Sequence, residues 1–316
     1  MSYTKAKNSE VDETKGNTRY IHWESLQGMV ECARADQFCA ANPEHHISNE
    51  SMFNAWINED ESQSKPQFYV GPHWYKQGIR FADILKMNTH PNLNEYMNEM
   101  HKFETKNLEG FVAKKKRRRK RIREEGESVS IDHYVDDPNL CMTEIYTDRV
   151  ASNICGFIDL VSEVGGNSNM SSEQLENSGL AASALADALE DIGYRVRIIM
   201  AHKVTEQDPR AAHNVNIYTC IIKHYNEPLD MGRVGFTIGT GGFYRTVMFS
   251  TYAKCALERV ARSLGAAVEI KESDLKKLPV DISENSVMLP RMRSREEAER
   301  FVKKTIEEKR KEAEAA

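Results

Sequence analysis

Apolar positions crowd into one region of the chain and change period there in a regular order. Ile154-Cys155-Gly156-Phe157-Ile158-Asp159-Leu160-Val161-Ser162 is a nearly continuous apolar run, the pattern of a strand covered on both sides. A loop rich in glycine, serine and asparagine follows from Glu163 to Ser172. Glu173 to Ile192 has helical spacing and stops at Gly193, a residue suited to the left-handed conformation that ends a helix. Arg195 to Ala201 reads as the next strand. Strand, helix and strand in this order imply a parallel sheet covered by helices, because a parallel crossover needs a helix to return the chain.

The alternation continues downstream. Asn214 to His224 predicts a long strand after the Asp208-Pro209 break, able to pair with Val196 to His202 as an antiparallel hairpin. Val234 to Ile238 reads as a short strand, Gly239 to Gly242 as a turn, and Phe243 to Leu264 as a helix. Val287 to Leu289 gives a last short strand. Ser294 opens a charged terminal helix running to Glu312, with Glu297 three residues on as a capping box requires. Upstream the pattern is weaker. Residues 1–18 read as a disordered lead, Tyr20 to Arg34 as a short amphipathic helix, 40–68 as a polar stretch and Leu93 to Phe103 as a helix. The predicted organisation is therefore a lead over 1–18, an irregular, mainly helical N-terminal region over 19–113, a charged linker over 114–137 and an α/β domain over 138–316. The predicted fold class is α/β: a three-layer, Rossmann-like, mostly parallel sheet.

Composition sharpens this picture in two places. An apolar fraction of 40% with 29% charged residues suggests exposed arms around a compact centre. The formal net charge of −5 conceals a run in which Lys114, Lys115, Lys116, Arg117, Arg118, Arg119, Lys120, Arg121 and Arg123 make nine of ten residues basic. An acidic stretch, Glu124 to Asp137, follows at once. The six cysteines are scattered without a close pair, which argues for buried thiols in a reducing compartment rather than a disulfide scaffold. No apolar run approaches the roughly 20 residues of a membrane helix, so a soluble intracellular protein is expected.

Candidate chemistry is sparse. Asp159 and Ser162, followed by hydroxyl- and amide-bearing residues before a helix, are candidate ligands for magnesium, which takes a few oxygen ligands and keeps several waters. In the competing reading, Ser171 or Ser172 merely caps the helix. The basic run can contact phosphates without reading sequence; its competing reading is a solvated linker neutralised by the acidic stretch. Gly239-Thr240-Gly241-Gly242 lacks the residues of a P-loop or dinucleotide fingerprint. Arg245, in the first turn of the helix that follows, is electrostatically disfavoured there unless it faces something negative. The histidines and cysteines show no zinc spacing, and no nucleophile-elbow sequence is present. No catalytic residue and no cofactor are expected.

The order of elements around Asp159 resembles the von Willebrand factor A fold. That family's metal site follows an Asp-x-Ser-x-Ser pattern. Here Ser162 stands three residues after Asp159 and Glu163 occupies the place of the second serine, so the site is degenerate. More specifically, the chain resembles an uncharacterised family of tailed-bacteriophage proteins over about residues 114–310. The residues that carry this are Arg121-Ile122-Arg123 before Ser130-Ile131-Asp132-His133-Tyr134, the helix Leu180 to Gly193 leading into Tyr194-Arg195-Val196, Pro228-Leu229-Asp230, and Tyr244-Arg245 with Phe249. The resemblances imply a phage-encoded, non-enzymatic binding or adaptor module in the bacterial host cytoplasm. Its partner would be a protein, for example an AAA+ ATPase, gripped through Asn167, Ser168, Asn169 and Arg245. The alternative is a nucleic-acid-associated protein using the basic run.

Overall fold

A computed structural model of the chain describes residues 6, 8–34, 89–90, 92–108, 118–123, 128–129, 142–147, 155–164, 171–205, 215–248, 251–252, 266–278 and 280–315. The predicted central unit is present. Strand β6 (Gly156–Glu163), preceded in chain order by β1 to β5 given below, leads to helix α3 (Ser172–Ile192) and strand β7 (Tyr194–Thr205). Strands β6 and β7 are parallel, with Asp159 opposite Arg197 and Ser162 opposite Met200. Ser171 caps α3 in a reciprocal box with Gln174, satisfying donors that the first helical turn leaves open. Gly193 ends the helix at φ 114°, where a side chain would be strained.

The main sheet extends further than the sequence pattern predicts. Its order is β1-β2-β8-β7-β6-β10, with β9 (Ala266–Ala267) joining β7. Strands β1 (Val11–Lys15) and β2 (Thr18–Trp23) come from the segment read as a lead and an amphipathic helix. Only α1 (Leu26–Arg34) of that stretch is helical. Strand β2 is inserted parallel to β8 (Val215–Lys223), and β8 runs antiparallel to β7 as expected. Strand β10 (Ser286–Leu289) lies parallel to β6. Three of the five pairings along this six-strand path are parallel. The architecture is mixed α/β with a mostly parallel sheet.

The two faces of the sheet are covered differently. On one, Ile21, Ile158, Leu160, Val196, Ile198, Met200, Cys220 and Leu289 join a core with α1, α3, α4 (Met231–Gly239) and α6 (Arg295–Ala315). On the other, Tyr20, Val161, Ile199, Ile217 and Ile221 pack against Ile270, Leu275, Leu278 and Val280. The helical part of that cover, among the described residues, is the single turn α5 (Glu272–Leu275).

Helix α4 replaces the strand predicted over Val234 to Ile238. Asp230 caps it through the Arg233 amide, and it crosses α3 where two glycines meet. A Cβ on Gly179 would lie 2.6 Å from the Gly239 Cα. Helix α2 (Leu93–Leu108) seals the crossing, with its Tyr96 ring against Gly235 and its hydroxyl 2.8 Å from Ser183 Oγ. The chain after α4 makes a helical turn at Gly241–Phe243 and a π-helical segment at Tyr244–Met248; the remainder of the helix predicted to Leu264 lies mostly outside the described residues. A second, three-stranded antiparallel sheet has the order β3-β5-β4, formed by Arg118–Arg123, Met142–Thr147 and Ser128–Val129.

Candidate functional site

Asp159 sits mid-strand in β6, not at the strand's end, and its carboxylate is fully enclosed. Arg197, its neighbour on β7, donates from Nε to Oδ1 at 2.7 Å and from Nη2 to Oδ2 at 2.9 Å. The Tyr225 hydroxyl donates to Oδ1 at 2.5 Å and the Ser283 amide to Oδ2 at 2.6 Å. Four donors fill the acceptor sites of a carboxylate. Burial works to lower the Arg197 pKa, but the hydrogen bond and charge of Asp159 outweigh it and the net shift is upward. Burial, then the bond to Asp159, pushes the Tyr225 phenol well above its ordinary range. Arg197 also lies 4.9 Å from the Tyr225 ring centroid, and Phe157 meets that ring edge-on at 5.0 Å. This cluster ties β6 and β7, at Asp159 and Arg197, to the 281–283 segment through the Asp281 carbonyl and the Ser283 amide.

The acidic residue at the carboxyl end of β6 is Glu163. It pairs with Arg291; its burial nonetheless raises its pKa, outweighing the guanidinium. On the opposite face of the sheet, Ser162 and His202 are both fully buried. The His202 Nδ1 is hydrogen-bonded to the Val164 carbonyl, so that nitrogen carries the proton and Nε2 presents a lone pair. Among the described residues neither Nε2 nor Ser162 Oγ meets a hydrogen-bonding partner. Tyr252 stacks on the imidazole at 5.3 Å and Tyr244 meets it edge-on at 5.4 Å. Burial first, with Arg291 adding to it, lowers the His202 pKa to about 3.

That shift sets a pH dependence. The unfolded chain binds a proton near pH 6.5 that folded His202 refuses, so stability is lost as pH falls below that value. A slope of about 1.4 kcal/mol per pH unit gives a loss of about 2 kcal/mol between pH 6.5 and 5. Urea unfolding at pH 7 and pH 5 checks this: His202→Gln is expected to lose distinctly less stability than the parent between the two. The comparison isolates His202 because His22 and His90, also lowered chiefly by burial, stay in both proteins. Glu163 acts in the opposite sense at lower pH, since a raised carboxyl favours the folded state as it protonates.

The basic run is a strand where it is described. Arg118, Arg119, Lys120, Arg121, Ile122 and Arg123 form β3, paired residue by residue with Thr147, Tyr146, Ile145, Glu144, Thr143 and Met142 of β5. Ser128 and Val129 of β4 stand opposite Thr143 and Met142. Five cationic positions thus face one acidic position, and β3 lies at the edge of its sheet.

A family model described as a domain of unknown function (DUF7192) matches residues 17–313. The chain belongs to that family. No curated protein and no solved structure matches it. The match begins just before β2, so it takes in β2 and every later strand of the main sheet together with the β3–β5 sheet, and leaves β1 outside. Within that unit the predicted residues do not converge. Asp159 and Ser162 are three positions apart in a strand, which puts them on opposite faces of the sheet. With Asp159 also saturated by protein donors, the pair does not fit a magnesium site. Among the described residues no group of three His, Cys, Asp or Glu side chains is placed to hold a metal. Asn167, Ser168, Asn169 and Lys114 to Arg117 lie outside the described residues. Arg245 falls in the π-helical segment rather than in the first turn of a regular helix. The sequence pattern missed the partners of Asp159: Arg197 follows it by 38 positions and Tyr225 by 66; the β6–β7 register sets Arg197 opposite it, and the chain just after β8 supplies Tyr225. No described helix is long and apolar enough to cross a membrane.

Proposed function

We propose that this chain is a non-enzymatic, nucleic-acid-associated protein that contacts phosphates through strand β3. The observation that carries this reading is the pairing of β3: five cations in six positions stand against a partner strand holding one carboxylate, Glu144. A strand in a fixed register places alternate residues on opposite faces, and a polyanion can neutralise a run of cationic positions of that density.

The protein-binding reading, with an AAA+ ATPase as partner, would need the strand around Asp159 to be open to that partner. Enclosure of that carboxylate leaves it supported only by the order of β6, α3, β7 and β8, which also supports the finer likeness to a von Willebrand factor A-like layered fold. A phage-encoded origin and a place in the bacterial cytoplasm belong to the same proposal.

Fluorescence anisotropy with labelled oligonucleotides across a salt series tests the phosphate reading. If all five β3 cations engage, the logarithm of the single-strand binding constant falls with a slope of about −3.5 against the logarithm of salt. Replacing Arg118, Arg119, Lys120, Arg121 and Arg123 together by glutamine is expected to weaken binding more than tenfold at 0.1 M salt. Unchanged affinity in that variant would overturn the reading.

A further inference from the structure

One face of the main sheet ends in a step. Along β6, Phe157, Asp159 and Val161 share a side of the sheet, and their register partners on β7 are Arg195, Arg197 and Ile199. Val161 and Ile199 are buried under a cover made by Ile270, Leu275, Leu278 and Val280. The row before them, Asp159 with Arg197, lies under the last part of that cover: the Ser283 amide donates to Asp159, and the Asp281 carbonyl accepts from Arg197. One row earlier, about 6.7 Å along the strands, the cover stops. Phe157 is 53% exposed, the highest value for a large apolar side chain among the described residues, and Arg195 beside it is exposed as well. The phenyl ring is braced from the side. It meets Tyr225 edge-on at 5.0 Å, and Tyr225 is fixed in turn by Asp159 and Arg197.

We propose that this step is where two copies of the chain meet, about a two-fold axis that crosses the strands between the Phe157 row and the Asp159 row. A two-fold contact sets one patch against itself, so a step is met by a step: the 281–283 segment of each copy rests on the exposed row of the other. An axis along the strands would instead drive the two covers into each other. The charges agree with this seating. Asp281 is exposed and is anchored above β7 through its carbonyl, which accepts from Arg197. Arg195 belongs to the same strand, one row away. Neither side chain forms an ion pair among the described residues. Rotation about an axis across the strands keeps each strand above its own counterpart, so Arg195 of one copy comes against Asp281 of the other, twice. Phe157 comes against Ser283 in the same way. Because Tyr225 already holds the phenyl ring, covering it costs little ordering. The charge pairs fix the register of the two copies. An interface centred on one aromatic residue per copy is small, so a Kd on the order of 10–100 µM is expected. The inference uses no residue of β3 and is independent of the phosphate reading.

Sedimentation velocity of the full chain, from well below to well above that Kd, tests the contact. The parent is expected to pass from monomer to dimer. Phe157→Ala should weaken the dimer about tenfold or more. Arg195→Glu and Asp281→Lys each set like charges together at both contacts and should also weaken it about tenfold or more. Both leave the Asp159–Arg197 cluster in place, because Arg195 is outside it and Asp281 contributes only its backbone carbonyl. An equimolar mixture of the two reversals should recover the parent's association. One contact then joins the two introduced charges and the other the two native ones, opposite in sign in both. A variant that merely fails to fold cannot produce that recovery. A parent that stays monomeric throughout, association unchanged in Phe157→Ala or in either reversal, or a mixture that does not recover, would overturn the proposal.

Discussion

Asp159→Ala is expected to lower the unfolding free energy by about 3–5 kcal/mol, the range for removing one partner of a buried ion pair. The Arg197 guanidinium would lose both carboxylate bonds, and the Tyr225 hydroxyl and Ser283 amide would lose their acceptor. Arg197 keeps a bond to the Asp281 carbonyl, but a carbonyl carries no compensating charge. Urea denaturation checks the size of the loss. A paired replacement, Asp159→Leu with Arg197→Met, should cost less than the single alanine, because it removes both charges instead of stranding one. Magnesium should leave the unfolding midpoint of the parent protein unchanged; a midpoint that rises with magnesium concentration would show a metal bound to the folded state and contradict the enclosure of Asp159.

Gly179→Ala should be nearly as damaging, at about 3 kcal/mol, the upper part of the range for an overpacked interior. The added methyl would sit 2.6 Å from the Gly239 Cα and 2.9 Å from its nitrogen. These are backbone atoms, so no side chain can swing away and the two helices must separate. That separation reaches α2, whose Tyr96 ring packs on Gly235 and whose hydroxyl meets Ser183. The glycine's ordinary helix penalty of about 1 kcal/mol relative to alanine works in the substitution's favour but does not offset a backbone clash. A thermal melt that shows Gly179→Ala as stable as the parent would mean the α3–α4 crossing is looser than described.

The parts of the fold legible in the sequence are those whose signals are local. The α3 helix announces itself by Ser171 and Gly193 at its ends, and α6 by Ser294 and Glu297. The β6 and β7 runs are covered on both faces, so their apolar residues are nearly continuous. Thr18–Trp23 carries no such signal. Its Arg19 and His22 are buried through partners elsewhere, Asp12 and Thr219, and Trp23 happens to continue the helical spacing of Leu26, Met29 and Ala33. Val234 to Ile238 fails for the opposite reason. A buried run of that length fits strand and helix equally, and the Asp230 cap and the contacts at Gly235 and Gly239 decide for helix. At the candidate site the predicted strand end at Ser162 lies one residue from the observed end at Glu163, and what the sequence does not show is that Asp159, inside the strand, is enclosed by donors from distant segments.

Strand β2 has a consequence for how the molecule is made. It pairs with β1 on one side and with β8 on the other, and the His22–Thr219 contact spans 197 positions of sequence. On the ribosome, that early hairpin waits without its second neighbour until most of the polypeptide has emerged. Loop closure over such a distance is entropically costly and slow. Until it happens, a ribbon with a bare backbone edge is open to association with other nascent chains. Anything that delays β8 therefore lengthens the interval in which the N-terminal hairpin is hazardous to its neighbours.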